Sequence, residues 1–120
     1  HHFSYICVGE APASASQIRL TGYSTFLREE WLAVFHVDEK AFQTMAGLAE
    51  LAPADEFEFR DALERSSLEK TKLFKNVPVS GNLQCFKRVF KKTEEHESGT
   101  IFALFDPATS TAVVLRERSD

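Results

Sequence analysis

The last third of the chain alternates apolar and polar positions more regularly than any other part. From Leu83 to Lys92, Cys85, Lys87, Val89 and Lys91 fall on one side of an extended chain, and Phe86, Arg88, Phe90 and Lys92 on the other. Thr93 to Gly99 is a polar turn, after which Thr100 to Phe105 and Ala112 to Glu117 again read as strands. Between those two lies Asp106-Pro107-Ala108-Thr109-Ser110, which has turn chemistry: Pro107 fixes φ, and Asp106 can accept from backbone beyond it. Consecutive strands joined by short connections pair antiparallel, so the pattern predicts a C-terminal three-stranded meander.

The first half is less regular. Phe3 to Gly9 and Gln17 to Phe26 read as strands, with Gly22 marking a bulge or a close backbone approach. Glu30 to Val37 fits two periods. As a strand, Trp31, Ala33, Phe35 and Val37 share one face and Leu32, Val34 and His36 the other; as a helix, Leu27, Trp31, Val34 and Phe35 form a stripe. Asp38 decides for the strand, because it is a good N-cap for a helix over Glu39 to Leu51. That helix places Phe42, Met45, Ala46 and Ala49 on one face, and Pro53 stops it. A second helix starts at Asp55, which has capping-box spacing to Glu58, and carries Phe59 and Leu63. The same spacing at Ser66 and Glu69 allows a break and restart before Phe74, and Asn76 to Asn82 is a loop. The expected fold is therefore α+β: one antiparallel sheet of about six strands, ordered β-β-β-α-α-β-β-β, with two helices on one face.

Composition changes this picture little. The length of 120 residues suits one domain; His1 and His2 read as the end of a purification tag, leaving 3–120 as that domain. Eleven Phe against one Trp and two Tyr supply the large apolar side chains that helices packed on a sheet require. No run approaches the ~20 apolar residues of a membrane-spanning helix. Charge is segregated: residues 1–59 carry nine acidic and three basic side chains, 60–92 nine basic and three acidic, and 93–120 six acidic and two basic. A basic middle segment can pair with the acidic segments inside the fold, or offer a face to an acidic partner.

Candidate chemistry is sparse. His36 and Asp38 have the spacing of an acid–base pair on a strand, and His96 sits among Glu94, Glu95 and Glu97, oxygens that metals accept. Glu29-Glu30 and Glu56/Glu58 are paired carboxylates that nothing in the sequence brings together. Cys7 and Cys85 are either two buried thiols or a disulfide. There is no nucleophile elbow, phosphate-binding glycine loop or Cys-x-x-Cys, so no cofactor is expected. The segment with most potential is the strip Phe86, Lys87, Arg88, Phe90, Lys91 and Lys92, where basic residues alternate with aromatics. Such a strip can hold a nucleic-acid backbone while bases stack on the rings. It resembles in part the aromatic-basic strand of RNA-recognition domains, although it lacks that motif's glycine and several of its aromatics. The leading expectation is a non-catalytic protein-binding or inhibitor-type domain that meets an acidic partner through this charged surface. The alternatives are a nucleic-acid-binding module using residues 86–92, or a small enzyme or ligand carrier with its site near His36.

Overall fold

The computed structural model describes residues 11–25, 28–66, 68, 72–78, 82–91 and 98–119. In chain order these form β1 (Ser16–Ser24), β2 (Arg28–His36), α1 (Glu39–Leu48), β3 (Ala52–Pro53), α2 (Glu56–Arg65), a 3-10 turn (Lys72–Asn76), β4 (Gln84–Phe90), β5 (Gly99–Asp106) and β6 (Thr111–Ser119). The strands make one antiparallel sheet in the order β1-β2-β6-β5-β4-β3. The expected α+β class, single antiparallel sheet and C-terminal meander are all present. The expected strand at Phe3 to Gly9 lies outside the described residues. The sixth strand is instead the two-residue Ala52–Pro53, paired to Lys87 and Phe86 on the edge of β4. Proline lacks the N–H that a central strand would need, so an edge is where it fits.

Residues 28–36 are a strand, as the Asp38 argument required. The Asp38 carboxylate accepts from the Ala41 N–H at 2.8 Å and opens α1; Asp55 opens α2 by accepting from Phe57 N–H at 2.8 Å. The Glu58 side chain, however, leaves the expected capping box and pairs with Lys87. Helix α1 ends at Leu48, three residues before its expected end and well ahead of Pro53. Leu51 N–H bonds to Ala46 O and Glu50 N–H to Gly47 O, with Glu50 at φ 59°, so a Schellman cap satisfies the last carbonyls. In the β5–β6 hairpin Asp106 accepts from Ala108 N–H and Thr109 Oγ1, the role its turn position predicts. At Gly22 the close approach is real: an added Cβ would lie 2.2 Å from the Trp31 ring. The bulge in β1 falls earlier, between Ser16 and Arg19.

One expectation about the helices is corrected. They lie on opposite faces of the sheet, not on one. Phe42 and Met45 of α1 pack with Ala33, Phe35, Ile101, Ala103, Phe105 and Val114. Phe59, Ala62 and Leu63 of α2 pack with Leu32, Val34, Phe102, Leu104, Val113 and Leu115. The two sets alternate along β2, β5 and β6, so each strand feeds both layers. The reason is the path of the chain. Helix α1 leaves β2 and crosses one face to the far edge, where β3 docks outside β4. Rounding that edge delivers α2 to the other face, and the 3-10 turn beyond it reaches back to β1 and β2.

Candidate functional site

The sequence-predicted strip is split by the strand that carries it. Phe86 and Phe90 are half-buried against the α1-side core, and Phe86 lies 5.9 Å from the Phe42 ring. The guanidinium of Arg88 sits 4.5 Å from the Phe90 ring centroid and that of Arg116 5.3 Å, so cations of the chain itself approach the ring. Arg88 also donates to Ala49 O at 3.0 Å and pairs with Glu50 at 3.3 Å. Lys87 points to the opposite face, where it pairs with Glu58. Lys91 is exposed just beyond β4, and Lys92 lies outside the described residues. The ion pairs Arg60–Glu56, Lys87–Glu58 and Arg88–Glu50 each join the basic middle segment to the acidic first half, so part of the segregated charge is spent inside the fold.

The remaining candidates are placed as follows. His36 ends β2, but the Asp38 carboxylate is turned to its helix cap, and no hydrogen bond joins the two. The Ala41 amide, then the Ser14 side chain, holds Asp38 below the usual carboxylate range. Cys85 carries a free, buried thiol, pushed up to about 11 first by burial and then by the nearby Glu56, Glu58 and Asp55. Its considered partner Cys7, like His96 and its neighbouring glutamates, lies outside the described residues.

What the structure assembles instead is a polar cleft on the α2 face, of about 340 Å³. Helix α2 supplies one wall with Glu58, Asp61, Ala62 and Arg65; Lys87, Thr100, Phe102 and Glu117 come from β4, β5 and β6. The wall is positioned by Phe59, which meets Phe102 edge-on at 6.1 Å, and by Arg60, which donates to Pro78 O. The charges of the cleft form a simple set. Lys87 pairs with Glu58, and Arg65 pairs with Asp61 at 3.0 Å. Glu117 is half-buried and makes no hydrogen bond or ion pair among the described residues.

Behind Glu117 stands a second carboxylate. Glu30 is its cross-strand partner on β2, 0% exposed, and held by Arg28 at 3.0 Å. Directly opposed side chains keep their Cβ atoms about 4.5–5.5 Å apart. Burial, and next the charge of Glu30, raise the Glu117 pKa above its ordinary value, while Arg65 and Arg28 pull it down. Only Glu117 of this pair reaches the cleft, so the two cannot flank a substrate as a hydrolytic carboxylate pair must. One turn before Asp61 on α2 and next in sequence to Glu58, Phe57 projects into solvent at 77% exposure.

Sequence reasoning had noticed Glu30 and Glu58 but not Glu117, Thr100, Asp61, Arg65 or Phe57. The Glu30–Glu117 contact depends on β2 pairing with β6, a pairing between strands distant in the chain. A local signal did exist: Glu117 occupies the position of β6 that continues the apolar face of Val113 and Leu115, so a charge there enters a buried layer. Among the described residues no group of three His, Cys, Asp or Glu side chains is arranged to hold a metal ion, and no helix is long and apolar enough to cross a membrane. No family model, curated protein or solved structure matches this chain, so the cleft is read from its own chemistry.

Proposed function

We propose that this chain is a non-catalytic protein-binding domain whose contact surface is the charged cleft between α2 and strands β4 to β6. The observation that carries this reading is Glu117, a half-buried carboxylate without a hydrogen-bond or ion-pair partner among the described residues, at a cleft whose other charges are paired. A half-buried charge left unsatisfied is costly unless something arrives to satisfy it. The cleft volume is at the low end of the range for ligand sites, enough for one side chain rather than an extended ligand. Phe57, the neighbour of Glu58 on the same helix, supplies an exposed aromatic of the kind that anchors protein interfaces. A charged rim around such an anchor is the usual anatomy of a protein contact.

The test is capture from a native extract with substitutions divided between the faces of the sheet. Phe57→Ala and Lys87→Glu alter the α2 face, whereas Lys40→Glu alters the exposed surface of α1 on the other side. A captured protein should be lost with the first two and retained with the third. Loss with Lys40→Glu alone would move the contact to the α1 face and end this reading. Salt-dependent retention of a labelled oligonucleotide, abolished by Lys87→Glu, would replace the protein partner with a nucleic acid.

A further inference from the structure

Taking the cleft as the contact surface, we infer that it receives a single primary ammonium group, the side chain of a lysine on the protein partner. This rests on the reading above and adds the chemistry of what enters.

Charge complementarity fixes the sign. Lys87 and Arg65 are neutralised by Glu58 and Asp61 of α2, and Arg28 by the buried Glu30. That leaves Glu117 as the carboxylate a ligand can pair with. An anion would meet this charge with no free cation of the lining to offset it. A neutral apolar group would bury it further.

Shape and donor geometry choose ammonium over guanidinium. Thr100 is the cross-strand partner of Glu117 on β5 and also lines the cleft, so one carboxylate and one hydroxyl stand side by side in its wall. A compact ammonium with three donors can use both acceptors at once, whereas a planar guanidinium fork is best matched by a carboxylate open to bidentate approach. Two apolar side chains stand in the otherwise polar lining, Ala62 from the helix and Phe102 from the sheet, and the stem of a lysine can lie against them. An aromatic beside an ammonium adds a cation–π attraction, and Lys87 already sits 5.9 Å from the Phe102 ring centroid. Long cationic side chains bury such stems on apolar surface while the head finds a polar partner.

The experiment follows backbone amide resonances of Ala62, Thr100 and Phe102 in the isotope-labelled full chain. It compares Nα-acetyl-lysine methylamide with its neutral isostere Nα-acetyl-norleucine methylamide, the arginine analogue and the glutamate analogue. The lysine compound should give saturable shifts at these residues and the norleucine compound none. Glu117→Gln should weaken lysine binding at least tenfold, and Thr100→Val severalfold. Equal binding of norleucine, preferred binding of the arginine or glutamate compound, or unchanged affinity in Glu117→Gln would each overturn the ammonium assignment while leaving the cleft as a contact surface. If none of the four compounds moves a cleft resonance, the lysine assignment falls. Retained sensitivity of partner capture to Phe57→Ala would then show that the contact reading survives without it.

Discussion

On the α1 face, aromatic rings from helix and sheet close on one another. Phe42 stacks on Phe105 at 5.0 Å and tilts against Phe86 at 5.9 Å, while Trp31 and Phe90 pack around them. On the α2 face a layer of Leu, Val and Ala side chains, with Phe59 on Phe102, covers the middle of the sheet. Toward the ends of β2 and β6 it gives way to Arg28, Glu30 and Glu117. The same strands serve both faces, so the difference comes from which residue type occupies alternate positions near the strand ends. Charge ends both faces: on the α1 side Arg118 pairs with Glu29 at 3.6 Å and Arg116 lies over Phe90, whereas on the α2 side the carboxylates Glu30 and Glu117 oppose each other, and the cleft forms there.

The largest test of that contrast is a pair of truncations. Phe42→Ala and Phe59→Ala each remove a fully buried ring, and such substitutions cost about 3–5 kcal/mol. Among the described residues Phe42 abandons two ring partners and Phe59 one, so Phe42→Ala should lie nearer the upper end in urea unfolding. Finding Phe59→Ala the costlier change would show the aromatic face is not the better-packed one. The next largest effect is at Gly22. A Cβ there enters the Trp31 ring, and overpacking of this kind costs about 1–3 kcal/mol. Gly22→Ala should lower stability and perturb Trp31 fluorescence together; a stable variant with unchanged fluorescence would mean the ring is free to move aside.

How much of this contrast was readable beforehand depends on the element. The meander was plain, because Leu83 to Lys92 alternates and Asp106-Pro107 is turn chemistry. The strand β2 was recovered from a single cap, Asp38. The placement of both helices on one face failed at Ala52–Pro53. Two residues carry no periodicity, yet this edge pair is where the chain passes from one face to the other. A second signal was available. Leu32-Ala33-Val34-Phe35, Ile101 to Phe105 and Ala112 to Leu115 are continuous apolar runs, the mark of strands buried on both faces. The aromatic-basic strip was legible as a pattern, but which of its side chains the core absorbs depends on the partner layer at Phe42 and Phe105. The cleft was not legible, since Glu117 meets α2 only through the sheet order.

Smaller effects probe the α2 face itself. Asp55 caps α2 by accepting from Phe57 N–H, and removing such a cap costs about 1 kcal/mol. Asp55→Ala should therefore cost less than either ring truncation. Its hydrogen-exchange change should concentrate in α2 and leave α1 protected. Equal loss of protection in α1 would mean the two faces unfold as one unit, and the contrast between them would then be static only.

The smallest expected effect has the most direct bearing on the cleft. Burial, then the charge of Glu30, raise the Glu117 pKa, with Arg65 and Arg28 acting against them. A carboxyl whose folded pKa exceeds its unfolded value of about 4.3 holds a proton that the unfolded chain has released. Stability contributed by Glu117 is thus fully present below the unfolded value, falls as pH rises through the raised folded value, and stays lower above it. Glu117→Gln removes that penalty, so the variant should melt higher than the parent at pH 7, and the gap should close as pH falls below 4. A variant that melts lower at pH 7 would mean that Glu117 is stabilised by the arginines more than it is destabilised by burial. The charged end of the α2 face would then be a structural ion cluster rather than a site held open for a partner.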